Sequence, residues 1–268
     1  MDILSFFTSP EVRSAMVVFA YLCATAAFIV MIYHGFKYKT YGMPPLSNAA
    51  ALGFTVIVGF YGPWSDQSHL FPIASDPHFG LKINLWRLWA VLMTIVLIQY
   101  FMWSKHHRSI WSNLEHYHLP FFLNSNVLFV LMLISLALGE WFFIVFYQDY
   151  YVNEICPIVM LFIAIGYLGT LFIRPKLLGL SLFVAWAWAI SNLFLYVAVV
   201  LGPMDGPYPN ATHGYGFIYW VYVVTIILNF LYVYLLTLRR KELQVDFHED
   251  QAALTPMEKS IKDFKANV

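Results

Sequence analysis

Seven apolar stretches, separated by short polar loops, dominate the pattern of hydrophobic and polar positions along this chain of 268 residues. Most of them reach the roughly 20 apolar residues that a helix needs to cross about 30 Å of hydrocarbon. They cover residues 13–34, 46–62, 83–103, 124–147, 155–173, 177–200 and 215–238. The pattern predicts an all-α fold, a seven-transmembrane-helix bundle over residues 1–238, followed by a tail over residues 239–268.

The composition agrees with a membrane protein. The chain is 60% apolar and only 11% charged, so lipid rather than water has to cover most of its surface. Its net charge of zero gives no reason to expect a nucleic acid as a partner. Cys23 and Cys156 offer no disulfide framework.

Lysine and arginine are confined almost entirely to alternate loops. Clusters of them follow the first, third, fifth and seventh stretches: Lys37, Lys39, Lys105, Arg108, Arg174, Lys176, Arg239, Arg240 and Lys241. Because positive residues stay in the cytoplasm, this asymmetry predicts an N-terminus outside and a cytoplasmic tail. It does not indicate which membrane holds the protein.

Polar residues recur at helical spacing inside the stretches. The seventh carries Tyr222, Thr225, Asn229 and Tyr232 at spacings of three, four and three, which is one face of a helix. The faces of the second and sixth stretches carry Thr55 and Asn192. Such residues either hydrogen-bond between helices or line a polar cavity. We take these residues as candidate substrate-binding residues: Thr55, Asn192, Tyr222, Thr225, Asn229 and Tyr232.

Depth suggests which of these residues meet. Thr55 and Asn229 each lie about nine residues from the cytoplasmic end of their stretch, roughly 14 Å deep. Equal depth predicts that they face each other across one interior site.

Two ionisable residues, Arg87 and Glu140, lie within the stretches at similar depth. A lone charge is costly in hydrocarbon, so the sequence predicts an ion pair between them. Alternatively, a desolvated Glu140 keeps its proton at neutral pH and acts as a catalytic acid.

Several short motifs resemble those of a known family. They are Ile32-Tyr33 with Thr40-Tyr41-Gly42-Met43, Arg174 with Gly179 and Ser181, and Asn229-Phe230-Leu231-Tyr232 leading into Arg239-Arg240. Over nearly its whole length the chain resembles the integral-membrane terpene cyclases of fungal meroterpenoid and indole-diterpene pathways. The resemblance implies protonation and cyclisation of a prenylated, usually epoxidised, substrate.

The two carboxylates that the resemblance implies are absent. Thr55 stands at the position of a glutamate on the second span, and Asn229 at that of an aspartate on the seventh. An alignment on Asn48 instead puts Leu52 at the glutamate position. Neither a hydroxyl nor an amide is a strong enough acid to open an epoxide at neutral pH. The resemblance therefore implies the scaffold with altered acid chemistry.

Other classes fit the sequence less well. The last stretch contains no lysine for a retinal Schiff base. Four histidines in the loop 104–123 are typical of an interfacial belt rather than a metal site, so we expect no metal or cofactor. Two hypotheses remain: a terpene-cyclase-like enzyme for a lipophilic prenyl-type molecule, or a non-catalytic lipid-binding or structural subunit of a membrane complex. Membrane lipids are expected partners of either, and other membrane subunits of the second.

Overall fold

A computed structural model describes residues 9–61, 79–103, 125–146, 155–173, 177, 179–200 and 215–242. Within these residues the fold is all-α, and its helices follow the apolar stretches, which confirms the predicted seven-helix fold. The helices are α1 Pro10–Lys37, α2 Pro45–Val56, α3 Phe79–Trp103, α4 Ser125–Phe146, α5 Ile155–Ile173, α6 Leu182–Val200 and α7 Tyr215–Glu242. A π-helical turn, Ile57–Tyr61, continues α2.

Five of the described helices, α1, α3, α4, α5 and α7, are long and apolar enough to cross a membrane. The other two, α2 with its π-helical turn and α6, are shorter apolar helices. This set of helices is compatible with a polytopic membrane protein. The orientation of the bundle, with the N-terminus outside, stays a prediction.

Helix ends differ from the ends of the apolar stretches for local reasons. Ser9 caps α1 by accepting a hydrogen bond from the Val12 amide, and a proline follows it in the first turn. Leu177 and Gly179 have φ angles of 55° and 75°, so no helix passes through them and α6 begins only at Leu182. At the other end, α7 continues past residue 238 to Glu242.

Six helices form a ring in which each packs on two neighbours, in the order α1, α3, α2, α5, α7, α6 and back to α1. The remaining helix, α4, lies outside this ring and packs mainly on α2. Its outward surface carries exposed apolar side chains such as Leu138 and Phe142, as expected for a helix that faces lipid.

Side-chain contacts show the relative directions of the helices in the ring. α1 and α3 run parallel because their contacts advance together: Ser14 with Lys82, Thr25 with Trp89, and Ile32 with Gln99. α5 and α7 are also parallel, through Tyr167 with Tyr232 and Leu171 with Arg239. α6 runs against α7, through Tyr196 with Tyr222 and Trp186 with Phe230. α2 runs against α5, because Ser47 reaches Phe162 and the earlier Pro44 lies beside the later Gly166.

α1 in turn runs against α6, through Phe19 with Phe194 and Phe28 with Trp188. Within the ring, α1, α3, α5 and α7 therefore run one way and α2 and α6 the other, as a chain that crosses a membrane at each helix requires. We expect single cysteines at positions 75 and 109, placed in a background without Cys23 and Cys156, to be labelled from opposite sides of the membrane. Both positions lie outside the described residues. A membrane-impermeant maleimide, applied before and after permeabilisation, checks this. Labelling of both positions from the same side would contradict the predicted topology.

Candidate functional site

All six candidate substrate-binding residues are buried, with between 0% and 4% of each side chain exposed. Helix geometry shows which way Thr55, and Asn48 on the same helix, point. Gly53 lies against α4, outside the ring, since a Cβ added there would meet Ala137 and Glu140. Asn48 and Thr55 lie about half a turn around the helix from Gly53, so they face the ring interior.

Five buried, uncharged residues on α2, α6 and α7 carry polar atoms that have no hydrogen-bond partner among the described residues. We call these residues the polar layer: Asn48, Trp188, Asn192, Thr225 and Asn229. Each is more than nine-tenths buried. Buried polar atoms in native proteins are nearly always paired with protein, water or ligand, and an exception requires an explanation. The concentration of such atoms marks the polar layer as the candidate binding site.

The contacts between α6 and α7 bring four of these residues together in two pairs. Asn192 lies four residues before Tyr196, and Thr225 three residues after Tyr222, whose rings are 5.5 Å apart. Because the two helices run in opposite directions, Asn192 and Thr225 lie at the same level. One further turn along each helix, Trp188 lies level with Asn229 by the same argument.

The α2 residue at the level of Asn229 is Asn48. Ser47 reaches the carbonyls of Phe162 and Ile163, which places Asn48 five or six residues before Tyr167 along α5. Tyr167 lies beside Tyr232, their ring centroids being 5.5 Å apart, and Asn229 precedes Tyr232 by three residues. Asn48 and Asn229 are thus within about one helical turn of the same level along the bundle axis.

Thr55 lies two turns further along α2, nearer the level of Tyr222. This differs from the equal depth that we expected for Thr55 and Asn229. The physical reason is that α7 continues to Glu242, so depths counted from the ends of the apolar stretches do not share one plane. The Thr55 hydroxyl donates within its own helix, to the carbonyls of Ala51 and Leu52.

Aromatic rings line the interior beside the polar layer. Phe28 of α1 lies 5.1 Å from the Trp188 ring and 5.5 Å from the Trp89 ring, measured between centroids. Tyr21 lies 5.0 Å from Trp89. We call Tyr21, Phe28, Trp89 and Trp188 the aromatic cluster. Its rings present a rigid apolar wall next to the unpartnered amides.

Glu140 lies on the other side of α2 from the polar layer. Its side chain is 6% exposed, and Oε2 has no hydrogen-bond partner in the part of the chain that the structure describes. The carboxyl group lies against Gly53, outside the ring. α2 therefore separates the candidate catalytic acid from Asn48 and Asn229.

Arg87 has its own partner on α2. Its Nε donates to the Gly59 carbonyl at 2.9 Å, in the π-helical turn. Glu140 contacts Gly53, six residues earlier on the same helix. No ion pair joins Arg87 and Glu140 among the described contacts, and the pairing stays a prediction.

A double-mutant cycle tests this pairing. Because Arg87 bonds to Gly59 and Glu140 lies against Gly53, Arg87→Ala and Glu140→Gln should change the free energy of unfolding additively, within about 0.5 kcal/mol. The measurement is reversible unfolding of the two single variants and the double variant in the same detergent. A coupling above about 1.5 kcal/mol would instead support the ion pair predicted from the sequence.

Sequence reasoning left Asn48, Trp188 and Tyr167 out of the candidate site. Tyr167 packs on Tyr232, and its hydroxyl lies 2.8 Å from the Met31 sulfur across the ring. A signal was present for Asn48, because it lies seven residues before Thr55 and therefore on the same helix face. Trp188 had a similar signal, because it lies four residues before Asn192 and therefore on the same helix face. For Tyr167 no signal separates it from the other aromatic residues of its helix.

No group of three histidine, cysteine, aspartate or glutamate side chains that could hold a metal ion occurs in the described ranges. The four histidines of the loop 104–123 lie outside those ranges. Comparison of the chain with protein-family models, with curated proteins and with solved structures finds no match. The resemblance to integral-membrane terpene cyclases accordingly stays a prediction that rests on the short motifs alone.

Proposed function

We propose that this protein binds a lipophilic, prenyl-type small molecule inside the helix ring. The polar group of that molecule hydrogen-bonds to the polar layer, and its hydrocarbon chain packs on the aromatic cluster. The observation that carries the proposal is that α2, α6 and α7 each hold unpartnered polar atoms on a buried side chain at about the same level of the bundle. A few convergent polar groups within an apolar interior are typical of small-molecule sites.

Binding, rather than acid-catalysed cyclisation, is the function that this geometry supports best. Opening an epoxide or protonating an alkene requires a strong acid within hydrogen-bond reach of the reacting atom. The polar layer contains amides, an indole and a hydroxyl, and none of these is such an acid. Glu140 lies beyond α2 and could donate a proton to this site only if α2 or α4 moved.

Ligand capture tests the proposed function. We expect the protein, purified in mild detergent and analysed by native mass spectrometry, to retain an isoprenoid or to take up added geranylgeraniol. The Thr225→Val variant, which removes a buried hydroxyl of the polar layer, should bind it about three- to tenfold more weakly, the change expected for one hydrogen bond. Thr94→Val, on the exposed face of α3, is the matched control and should bind like the unmodified protein.

The catalytic hypothesis has its own test, with an epoxide of geranylgeraniol as the probe. We expect the unmodified protein to leave the epoxide unchanged over hours. The double variant Thr55→Glu with Asn229→Asp should open it measurably, because it adds the two carboxyl groups that the family resemblance implies. Turnover by the unmodified protein that disappears in Glu140→Gln would overturn this and make Glu140 the catalytic acid. A stable protein partner, with no isoprenoid bound, would support the structural-subunit alternative.

A further inference from the structure

We infer that the polar group of the molecule bound at the polar layer is a hydroxyl, so that the natural ligand is an uncharged, hydroxyl-bearing lipid. This inference rests on the proposed function and specifies the ligand class. It depends on two properties of the polar layer: which donors and acceptors are unpartnered, and the absence of a charged side chain among its five members.

The layer offers donors and acceptors together. The unpartnered donors are Nδ2 of Asn48, Nε1 of Trp188 and Nδ2 of Asn229. The unpartnered acceptors are Oδ1 of Asn48 and Oδ1 of Asn192, and the Thr225 hydroxyl can act as either. A ligand that only accepts, such as an ether, a ketone or an epoxide, would leave the acceptors unpaired.

The orientation of the Asn192 amide supports the conclusion that the ligand must donate a hydrogen bond as well as accept one. Its Nδ2 donates to the Trp188 carbonyl at 2.9 Å, so its amide oxygen is the end that points away from that carbonyl. An acceptor therefore stands one turn from Trp188 Nε1, which can only donate. A hydroxyl satisfies both kinds of group at once, because its oxygen accepts from an N–H while its own hydrogen is donated.

Charge excludes two common lipid head groups. A phosphate or carboxylate buried at this depth needs a cation beside it. The five residues of the polar layer are neutral, and Arg87 is engaged with Gly59 of the α2 π-helical turn. At the level of the polar layer the described faces of α2, α6 and α7 carry no lysine or arginine. An isoprenoid diphosphate or a fatty acid is therefore the wrong ligand.

The experiment measures binding of four probes to the full-length protein in nanodiscs of one defined phosphatidylcholine. The probes are geranylgeraniol, its methyl ether, geranylgeranyl diphosphate and ergosterol. We expect the alcohol to bind about tenfold more tightly than the methyl ether, because the ether cannot donate. The diphosphate should bind no better than the ether. The ergosterol arm distinguishes a sterol from an isoprenoid alcohol as the source of the hydroxyl.

Variants of two polar-layer residues test which side chains cause the tighter binding of the alcohol than of the ether. In Asn48→Leu, which removes an unpartnered acceptor, we expect the alcohol to lose most of its preference over the ether. Asn229→Leu removes only an unpartnered donor, so it should weaken the binding of both probes and leave the preference in place. Asn84→Leu, an exposed position near the start of α3, should keep the tenfold preference. Should a leucine variant fail to fold, Asn48→Ala and Asn229→Ala, which also remove the amide but leave a smaller side chain, provide the same comparison.

The outcomes separate this inference from the proposed function. Equal binding of alcohol, ether and diphosphate by the unmodified protein would overturn the hydroxyl inference and leave isoprenoid binding in place. Tightest binding of the diphosphate would do the same and would require a cation that the polar layer lacks. If none of the four probes binds, the proposed function fails, and the inference fails with it.

Discussion

Replacement of Trp89 by alanine should lower the free energy of unfolding by about 3–5 kcal/mol, the usual cost of removing a fully buried large aromatic side chain. Trp89 is 2% exposed and lies where α1 meets α3. Its indole N–H donates to the Thr25 hydroxyl at 2.6 Å, and its ring packs on Tyr21 and Phe28. The variant loses both the packing and the hydrogen bond, and it leaves a cavity beside the polar layer.

Three further variants separate these contributions, all measured by reversible unfolding in one detergent. Trp89→Phe keeps most of the ring volume and should recover more than half of the loss, since a single hydrogen bond contributes about 0.5–1.5 kcal/mol. Thr25→Val should cost about as much as that bond, because it leaves the indole N–H unpaired. The matched control is Trp220→Ala on α7, 57% exposed, for which we expect a change below about 1 kcal/mol. Equal losses for Trp89→Ala and Trp220→Ala would show that the aromatic cluster is not the core of the bundle.

Gly53→Ala should detach α4 from the ring, with a loss of about 1–3 kcal/mol in the free energy of unfolding from overpacking. A Cβ at this position would lie 2.6 Å from Oε2 of Glu140 and 3.0 Å from the Ala137 Cα. The Glu140 side chain can move, but the backbone of α4 can yield only if the helix shifts outward. Because α4 is held mainly by α2, this close approach is what attaches it to the rest of the bundle.

A matched control exists on α4 itself. At Gly139 an added Cβ would meet nothing within 4 Å. Gly139→Ala should therefore be neutral or stabilise the protein by up to about 1 kcal/mol, the gain in helix propensity. Combining Gly53→Ala with Glu140→Ala should recover only part of the loss, since the clash with Ala137 remains. Thermal unfolding in detergent checks all three variants, and an unchanged stability in Gly53→Ala would contradict the close packing of α2 on α4.

Much of the candidate site followed from periodicity. The spacing of Tyr222, Thr225, Asn229 and Tyr232 indicated one helix face, and all four are buried. The helix of Asn192 was likewise predicted from its apolar pattern, and the residue is buried as expected for an inward face. A helix repeats every 3.6 residues whatever surrounds it, so residues on one face can be grouped without knowledge of the neighbouring helices.

Periodicity could not predict which other helix each face contacts. Nothing in the spacing of residues along α2 indicates that Ser47 meets Phe162, and it is this contact that places Asn48, rather than Thr55, level with Asn229. The position of Glu140 outside the ring was equally hidden, because α4 has the same apolar character on the side facing α2 as on the side facing lipid. Apolar periodicity does not distinguish helix neighbours from lipid, since both surroundings are hydrocarbon.

The order of hydrophobic and polar residues by itself determined the number and type of the elements, the membrane character of the chain and the polar faces of α2, α6 and α7. These properties depend on the burial preference of each side chain and on the fixed geometry of a single helix. Only the tertiary structure decided the ring order of the helices, the exclusion of α4 from the ring and the similar level of Asn48, Trp188 and Asn229. Those features arise from the fit between side chains that are far apart in the sequence, such as Gly53 with Ala137 and Thr25 with Trp89, and that fit is a property of pairs of helices rather than of any one stretch of the chain.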